Sequence, residues 1–286
     1  MTLRNRLTKE DILIAPGVYD GLTASLATDA GFEALYLSGA AVAYTRLGRP
    51  DIGLTTASEM ADTMALIADR TDLPVIMDAD TGFGNALNAR RTMQSYERAG
   101  AAALQVEDQS YPKKCGHLSD KSLIPMSEMV GKIAAMADAR RHDTLIVART
   151  DAIAVEGFEA AIDRAGCYID AGADVLFIEA PRNSDELGKI AQTYKGRVPL
   201  LANMVEGGAT PISSATDLQA IGFDIVIFPG GIVRALARTA QDYYASLHQA
   251  GSNKPFADRM HDFDGLNDAI GTNDMLAMGK RFDGNS

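Results

Sequence analysis

Eight short runs rich in Val, Ile and Leu recur along the chain, at residues 12–19 (ILIAPGVY), 33–38 (EALYLS), 73–79 (LPVIMDA), 101–107 (AAALQVE), 144–149 (TLIVAR), 173–180 (ADVLFIEA), 198–204 (VPLLANM) and 223–229 (FDIVIFP). Their apolar positions are nearly continuous instead of alternating, the pattern of parallel strands covered on both faces. Between them lie amphipathic stretches with apolar positions at helical spacing, clearest at 58–70 (SEMADTMALIADR) and 89–99 (ARRTMQSYERA). Gly31, Gly100, Gly172 and Gly222 stand at the entrance to four of the strands. A glycine just past the last helical turn takes the left-handed conformation without strain. Eight strand-then-helix units predict an α/β fold, a (β/α)8 TIM barrel over residues 1–250, with an open doubly wound sheet as the structural alternative. Residues 251–286 are polar with a short helical pattern. They predict a C-terminal helical extension that packs on the barrel or on a neighbouring subunit.

Composition narrows the function. The 286 residues carry 27 Lys plus Arg against 38 Asp plus Glu, a formal net charge of −11. That balance argues against a nucleic-acid partner held by a broad basic surface, which needs cations to displace phosphate counterions. At 47% apolar and 23% charged residues the chain can bury a large core. No run of about 18 apolar residues predicts a membrane span. Two Cys, and residues 1–10 without a basic-then-apolar leader, predict a reducing cytoplasmic location.

A barrel gathers catalytic groups at the carboxyl ends of its strands, and polar residues fall there repeatedly: Tyr36 and Ser38-Gly39-Ala40, Asp78-Ala79-Asp80, Glu107-Asp108, Arg149-Thr150-Asp151, Glu179 and Asn203. Taken singly each has a structural explanation, since a strand-end Asp caps the following helix and Ser38-Gly39 suits a turn. Several acids at successive strand ends repel one another unless a cation joins them. Asp78, Asp80 and Glu107 are hard oxygen ligands with no thiolate or imidazole among them, which points to Mg2+, with Mn2+ as a substitute. Ser38, with the amides of Gly39 and Ala40, offers a small anion cradle. Arg149 offers a planar bidentate partner for a carboxylate.

Residues 109–124 (QSYPKKCGHLSDKSLI) form a long aperiodic stretch after the fourth strand, the mark of a functional lid or of disorder. It carries Lys113-Lys114-Cys115-Gly116-His117. Cations on the same loop favour the Cys115 thiolate and ease proton donation, and Gly116 lets the backbone approach a ligand closely. The alternative is a surface cysteine on a solvated basic loop. A structural zinc site is disfavoured, because two Cys and four His lack the paired spacing it needs. Cys167 reads as a buried apolar residue in mid-helix.

Tyr36-Leu37-Ser38-Gly39, Asp78-Ala79-Asp80-Thr81-Gly82-Phe83-Gly84, Glu107-Asp108-Gln109, Lys113-Lys114-Cys115-Gly116-His117, Ala148-Arg149-Thr150-Asp151-Ala152 and Phe177-Ile178-Glu179-Ala180-Pro181 together resemble the isocitrate lyase and phosphoenolpyruvate mutase superfamily. The resemblance runs from about Ala15 to Arg238 with the motifs in family order. It implies a Mg2+-dependent barrel and a homotetramer in which a C-terminal helix is exchanged between subunits. Cys115-Gly116-His117 is similar to the branch that cleaves carbon–carbon bonds, and the short chain resembles the 2-methylisocitrate and 2,3-dimethylmalate or alkylmalate lyases within it. Lys114, Gln105 and Ala40 depart from the residues more common there, respectively Arg, His and Gly. The first two would change how the distal carboxylate is held.

That resemblance implies retro-aldol cleavage of a 2-hydroxy di- or tricarboxylate to pyruvate and a second carboxylic acid. Mg2+ would lower the hydroxyl pKa. Ser38, Gly39, Ala40 and Asp51 would hold pyruvate, while Arg149, His117, Glu179 and Asn203 would bind the leaving half beside Gly116. Cys115 would protonate the carbanion, and Tyr36 and Asp51 are candidates for the hydroxyl base. The alternatives are oxaloacetate decarboxylation or hydrolysis, phosphorus–carbon chemistry on the same site, and a catalytically idle barrel that binds a keto acid.

Overall fold

The computed structural model describes residues 1–116, 120–208, 210 and 213–283. Eight parallel strands form a closed barrel in sequence order: β1 Leu13–Val18, β2 Leu35–Leu37, β3 Val75–Asp78, β4 Ala103–Glu107, β5 Leu145–Thr150, β6 Val175–Ile178, β7 Leu200–Asn203 and β8 Ile225–Phe228. Each apolar run holds one strand, with β5 extending one residue past its run to Thr150. Pairing of Leu13 with Ile225 and of Pro16 with Phe228 closes β1 on β8, which excludes the open sheet.

Local chemistry explains the intervening elements. Thr56 opens helix Ala57–Arg70 and Asn85 opens helix Ala86–Arg98, each through a capping box that satisfies otherwise orphaned amides. Met60, Met64 and Ile67 of the first, and Ala89, Met93 and Tyr96 of the second, are the buried faces that the spacing predicted. Gly31, Gly100, Gly172 and Gly222 have φ of +88°, +98°, +110° and +120°, the conformation expected where a helix turns into a strand.

Side chains alternate across each strand. One set, including Leu13, Ala15, Tyr36, Ile76, Val147 and Phe177, fills the barrel interior. The opposite set on the later strands, including Leu176, Ile178, Leu200 and Val226, packs with Leu187 and Ile190 of helix Ser184–Tyr194. This interior floor fixes the height at which polar side chains begin.

Contacts divide the chain into Met1–Ile232 and Val233–Ser286. The division falls inside helix Gly231–Ala250, whose one buried residue is Val233. The second unit also holds a 3-10 helix, Lys254–Arg259, and helices Phe263–Ala269 and Thr272–Lys280. Beyond residue 250, Phe256 is the one buried side chain among the described residues, and it packs edge-to-face on Tyr243. No helix among the described residues is long and apolar enough to cross a membrane.

Candidate active site

The inward positions climb from an apolar floor to a polar mouth. Above Ile76, Ala103, Val147, Phe177 and Leu201, every second residue gives Asp78, then Gln105 and Glu107, Arg149, Glu179 and Asn203. All six are buried. Strand register sets Asp78 beside Gln105 and Glu107 beside Arg149. The same alternation separates Glu107 from Asp108, which points outward and accepts hydrogen bonds from the Thr150 hydroxyl (2.7 Å), the Tyr168 hydroxyl (2.8 Å) and the Asp151 amide (3.0 Å).

On the acidic side, Asp78 Oδ1 accepts the Asp80 amide at 3.0 Å and Gln105 Nε2 at 3.3 Å. Gln105 Oε1 in turn accepts the Tyr36 hydroxyl at 2.6 Å. Burial, reinforced by Asp78, pushes the Tyr36 hydroxyl well above its ordinary value. It is therefore held as a neutral phenol that donates to Gln105, which speaks against Tyr36 as the hydroxyl base. Lys113 Nζ lies 2.6 Å from Asp51 Oδ1 and 2.5 Å from Asp80 Oδ1. Burial pushes the Asp80 carboxyl up to about 7 against the pull of Lys113, with Asp78 and Asp51 adding to the rise. Burial likewise raises Glu107 well above the carboxylate range, opposed by Arg149.

These residues fit a hard divalent cation. Among the described residues Glu107 Oε1 is buried with no hydrogen-bond partner, and Asp80 Oδ1 accepts no well-aligned hydrogen bond although Lys113 is close. Among the described residues no three His, Cys, Asp or Glu side chains form a ligand cage. Mg2+ needs none, because it keeps several waters and binds through one or two carboxylates. Gly39 permits the close approach here, since a Cβ would sit 2.9 Å from Asp78 Oδ2.

On the basic side, Arg149 is bracketed by acids. Its Nε lies 2.9 Å from Asp151 Oδ2 and 3.3 Å from Glu107 Oε2, and Nη1 lies 3.3 Å from Glu179 Oε2. Burial would raise Asp151, but Arg149 and Lys121 outweigh it and bring the carboxyl down to about 2. Asn203 Nδ2 donates to Glu179 Oε2 at 3.1 Å, while Asn203 Oδ1 is buried with no partner among the described residues. Ser38 caps helix Gly39–Val42 by accepting the Ala41 amide at 3.2 Å. Gly39 and Ala40 thus present amides at an open helix start.

The stretch after β4 is a loop whose feet are stitched together. Gln109 bridges Leu123, the Ser110 amide donates to the Ser122 carbonyl and the Ile124 amide to the Asp108 carbonyl. Within it, Gln109 Nε2 donates to the Lys114 carbonyl and Gln109 Oε1 accepts the Lys114 amide. The Cys115 amide donates to the Asp51 carbonyl at 3.2 Å. Gly116 lies so close to Arg149 that a Cβ would stand 2.2 Å from Nη2. His117 lies outside the described residues.

The Lys113 ammonium pairs with Asp51 and Asp80. One sequence reading is corrected. Cys167 is half-buried, not buried, in helix Phe158–Asp170. Sequence reasoning missed Lys121 as a site residue, and it did not foresee that Lys113 pairs with Asp51 and Asp80 or that Gln105 joins Tyr36 to Asp78. The two-residue spacing of Arg149 and Asp151 is the signal that could have exposed Lys121's partner.

The phosphoenolpyruvate phosphomutase family profile matches residues 3–248. The 2-methylisocitrate lyase of Aeropyrum pernix is 47% identical over 274 residues, covering 96% of this chain and 88% of that one. A solved 2,3-dimethylmalate lyase is 35% identical with a TM-score of 0.92, covering 99% of this chain and 96% of the other. Oxaloacetate acetylhydrolase, solved with 3,3-difluorooxalacetate, is 31% identical with a TM-score of 0.93, covering 100% and 97%. With the motifs in order on the strand ends and the match spanning the barrel, this chain belongs to the phosphoenolpyruvate mutase/isocitrate lyase superfamily.

Proposed function

We propose that the protein is a carbon–carbon lyase that cleaves a 2-hydroxy di- or tricarboxylate of the 2-methylisocitrate or 2,3-dimethylmalate type into pyruvate and a second carboxylic acid. The observation that carries this reading is the seating of the Cys115-Gly116 backbone over the acid and arginine mouth, on Asp51, Arg149 and Glu179. A thiol on that segment suits protonation of a carbanion, a step that phosphoryl transfer of the mutase kind does not need.

Asp78, Asp80 and Glu107 would hold Mg2+ or Mn2+, which when bound supplies Lewis-acid polarisation of the substrate hydroxyl and its carboxylate. The remaining work belongs to the chain. Ser38 and the amides of Gly39 and Ala40 bind the carboxylate of the pyruvate half beside Asp51. Arg149, Asn203 and Glu179 orient the departing half, with His117 assigned to the same role. As Asp51 takes the hydroxyl proton, the O–H electron pair forms the ketone of pyruvate and the C2–C3 pair moves to C3. Cys115 Sγ then gives that carbon a proton. A thiol of ordinary pKa about 8.5 is protonated yet transferable near neutrality. The loop over the mouth excludes water that would compete for the carbanion.

A second reading is hydrolysis or decarboxylation of oxaloacetate, favoured by the likeness to oxaloacetate acetylhydrolase. The same proposal includes a homotetramer, supported by the exposed Phe263 and Phe282 of the C-terminal unit. Pyruvate release coupled to lactate dehydrogenase tests the function, with and without Mg2+, on 2-methylisocitrate, 2,3-dimethylmalate and other 2-alkylmalates. Metal-dependent release that Cys115→Ser lowers by a hundredfold or more, with pyruvate still bound in calorimetry, is the expected result. Turnover kept within tenfold, about 1.4 kcal/mol of barrier, removes Cys115 as the acid. Oxaloacetate consumed in place of the malates moves the protein to the second reading.

A further inference from the structure

Lys121 is an unusual lysine. Its side chain is buried at 2% exposure, with Nζ 2.7 Å from Asp151 Oδ1, and it also donates to the carbonyl of Gly116. Burying an ammonium costs several kcal/mol unless its partners are well placed, so such an arrangement persists where both acceptors are fixed. Asp151 is one, fully buried and gripped by Arg149 through Nε at 2.9 Å and Nη2 at 3.1 Å. The loop feet do not depend on this contact, because Gln109, Ser110 and Asp108 already join them to Leu123, Ser122 and Ile124. The Lys121 ammonium instead reaches back to Gly116, the neighbour of Cys115, on the side where Gly116 abuts Arg149 and Glu179.

We infer that Lys121 is a positioning residue for the Cys115 thiol: by tying the Gly116 carbonyl to Asp151, it makes the carboxylate that orients Arg149 also set the height of Cys115 above it. The arrangement joins the two working parts of the site through one anion. Substrate held by Arg149 and proton donor held by Lys121 share Asp151, so displacement of either is felt by the other. The catalytic meaning of this rests on the lyase reading; the placement of Cys115 does not.

The test separates the two. In a Cys167→Ser background, the rate of Cys115 alkylation by iodoacetamide, a neutral reagent, reads how firmly the thiol segment is seated. Lys121→Met is expected to speed alkylation at least threefold and to lower kcat at least tenfold, with pyruvate binding in the presence of Mg2+ within threefold of the parent. Lys121→Arg, which keeps the charge facing Asp151, is expected to recover part of both losses, a rescue that a mere packing role would not give. Alkylation changed by less than threefold in Lys121→Met overturns the inference. If that variant does not fold, Lys121→Gln is read by the same threefold criterion, since it keeps a donor for Gly116 but no charge for Asp151. Failure of the lyase reading appears separately, as silence in the pyruvate assay, and leaves the alkylation result standing.

Discussion

Gly116 rests against the guanidinium of Arg149 so closely that a Cβ would stand 2.2 Å from Nη2 and 3.0 Å from Glu179. Neither neighbour can yield cheaply, because Arg149 is held by Asp151, Glu107 and Glu179 together. Gly116→Ala should therefore lift the thiol segment off the mouth and leave the barrel intact. The expected outcome is a loss of at least a hundredfold in kcat/KM, about 2.7 kcal/mol of transition-state stabilisation. Thermal unfolding should show a Tm near the parent's. Equal activity in Gly116→Ala would mean that the segment works from another position.

How much of this was legible in the chain depends on where each residue's partner lies in sequence. The eight strands were, because parallel strands buried on both faces are apolar without a break and glycines such as Gly100 punctuate them. The strand-end acids were, because Asp78, Glu107 and Glu179 follow apolar runs directly. The ion pairs of Lys113 were not, because its ammonium reaches Asp51 and Asp80, which only barrel closure brings near. Lys121 was passed over for the same reason, since Asp151 is 30 positions away.

Gln105 joins Tyr36 to Asp78, accepting from one and donating to the other. Gln105→Leu keeps the volume but strands the Tyr36 hydroxyl and frees Asp78 to turn. An unsatisfied buried hydroxyl costs about 1–3 kcal/mol, and loss of a group that orients a ligating carboxylate typically weakens metal affinity roughly 10–100-fold. Both effects are expected, the first in denaturant unfolding and the second in Mn2+ binding followed by electron paramagnetic resonance. Unchanged Mn2+ affinity would dissociate Gln105 from Asp78 in function.

Metal binding should depend on pH through Asp80. Burial raises its carboxyl to about 7 in the metal-free protein, above the unfolded value of about 3.9. The folded state thus binds this proton more tightly than the unfolded chain, so its contribution to stability is full below about pH 4 and is lost as pH rises through 7. A cation needs the anion, so it must displace the proton below that pH. Mn2+ affinity is expected to fall about tenfold from pH 8 to pH 6, with about one proton released per ion at the lower value. Calorimetry in buffers of different ionisation enthalpy counts those protons, and a flat response over this range would exclude a protonated Asp80.

The neighbours Glu107 and Asp108 predict opposite consequences for the same kind of change. Glu107 faces the barrel mouth with a buried oxygen that has no hydrogen-bond partner among the described residues; Glu107→Gln removes charge where a cation and Arg149 need it, and should abolish turnover. It also relieves acid–acid repulsion and the cost of a buried carboxyl, so Tm should stay level or rise. Asp108 faces the helices and accepts from Thr150, Tyr168 and the Asp151 amide, with Arg164 Nη1 at 3.4 Å. Asp108→Asn exchanges one acceptor oxygen for a donor against groups that all donate, leaving at least one buried donor unmet at about 1–3 kcal/mol. Unfolding in urea should shift by that amount. Because the Asp151 amide anchors the end of β5 through Asp108, the variant should also lose some of the alignment between Arg149 and Asp151, with KM rising more than kcat falls. Were Asp108→Asn as stable as the parent, the outward carboxylate would not be fastening β4 to β5.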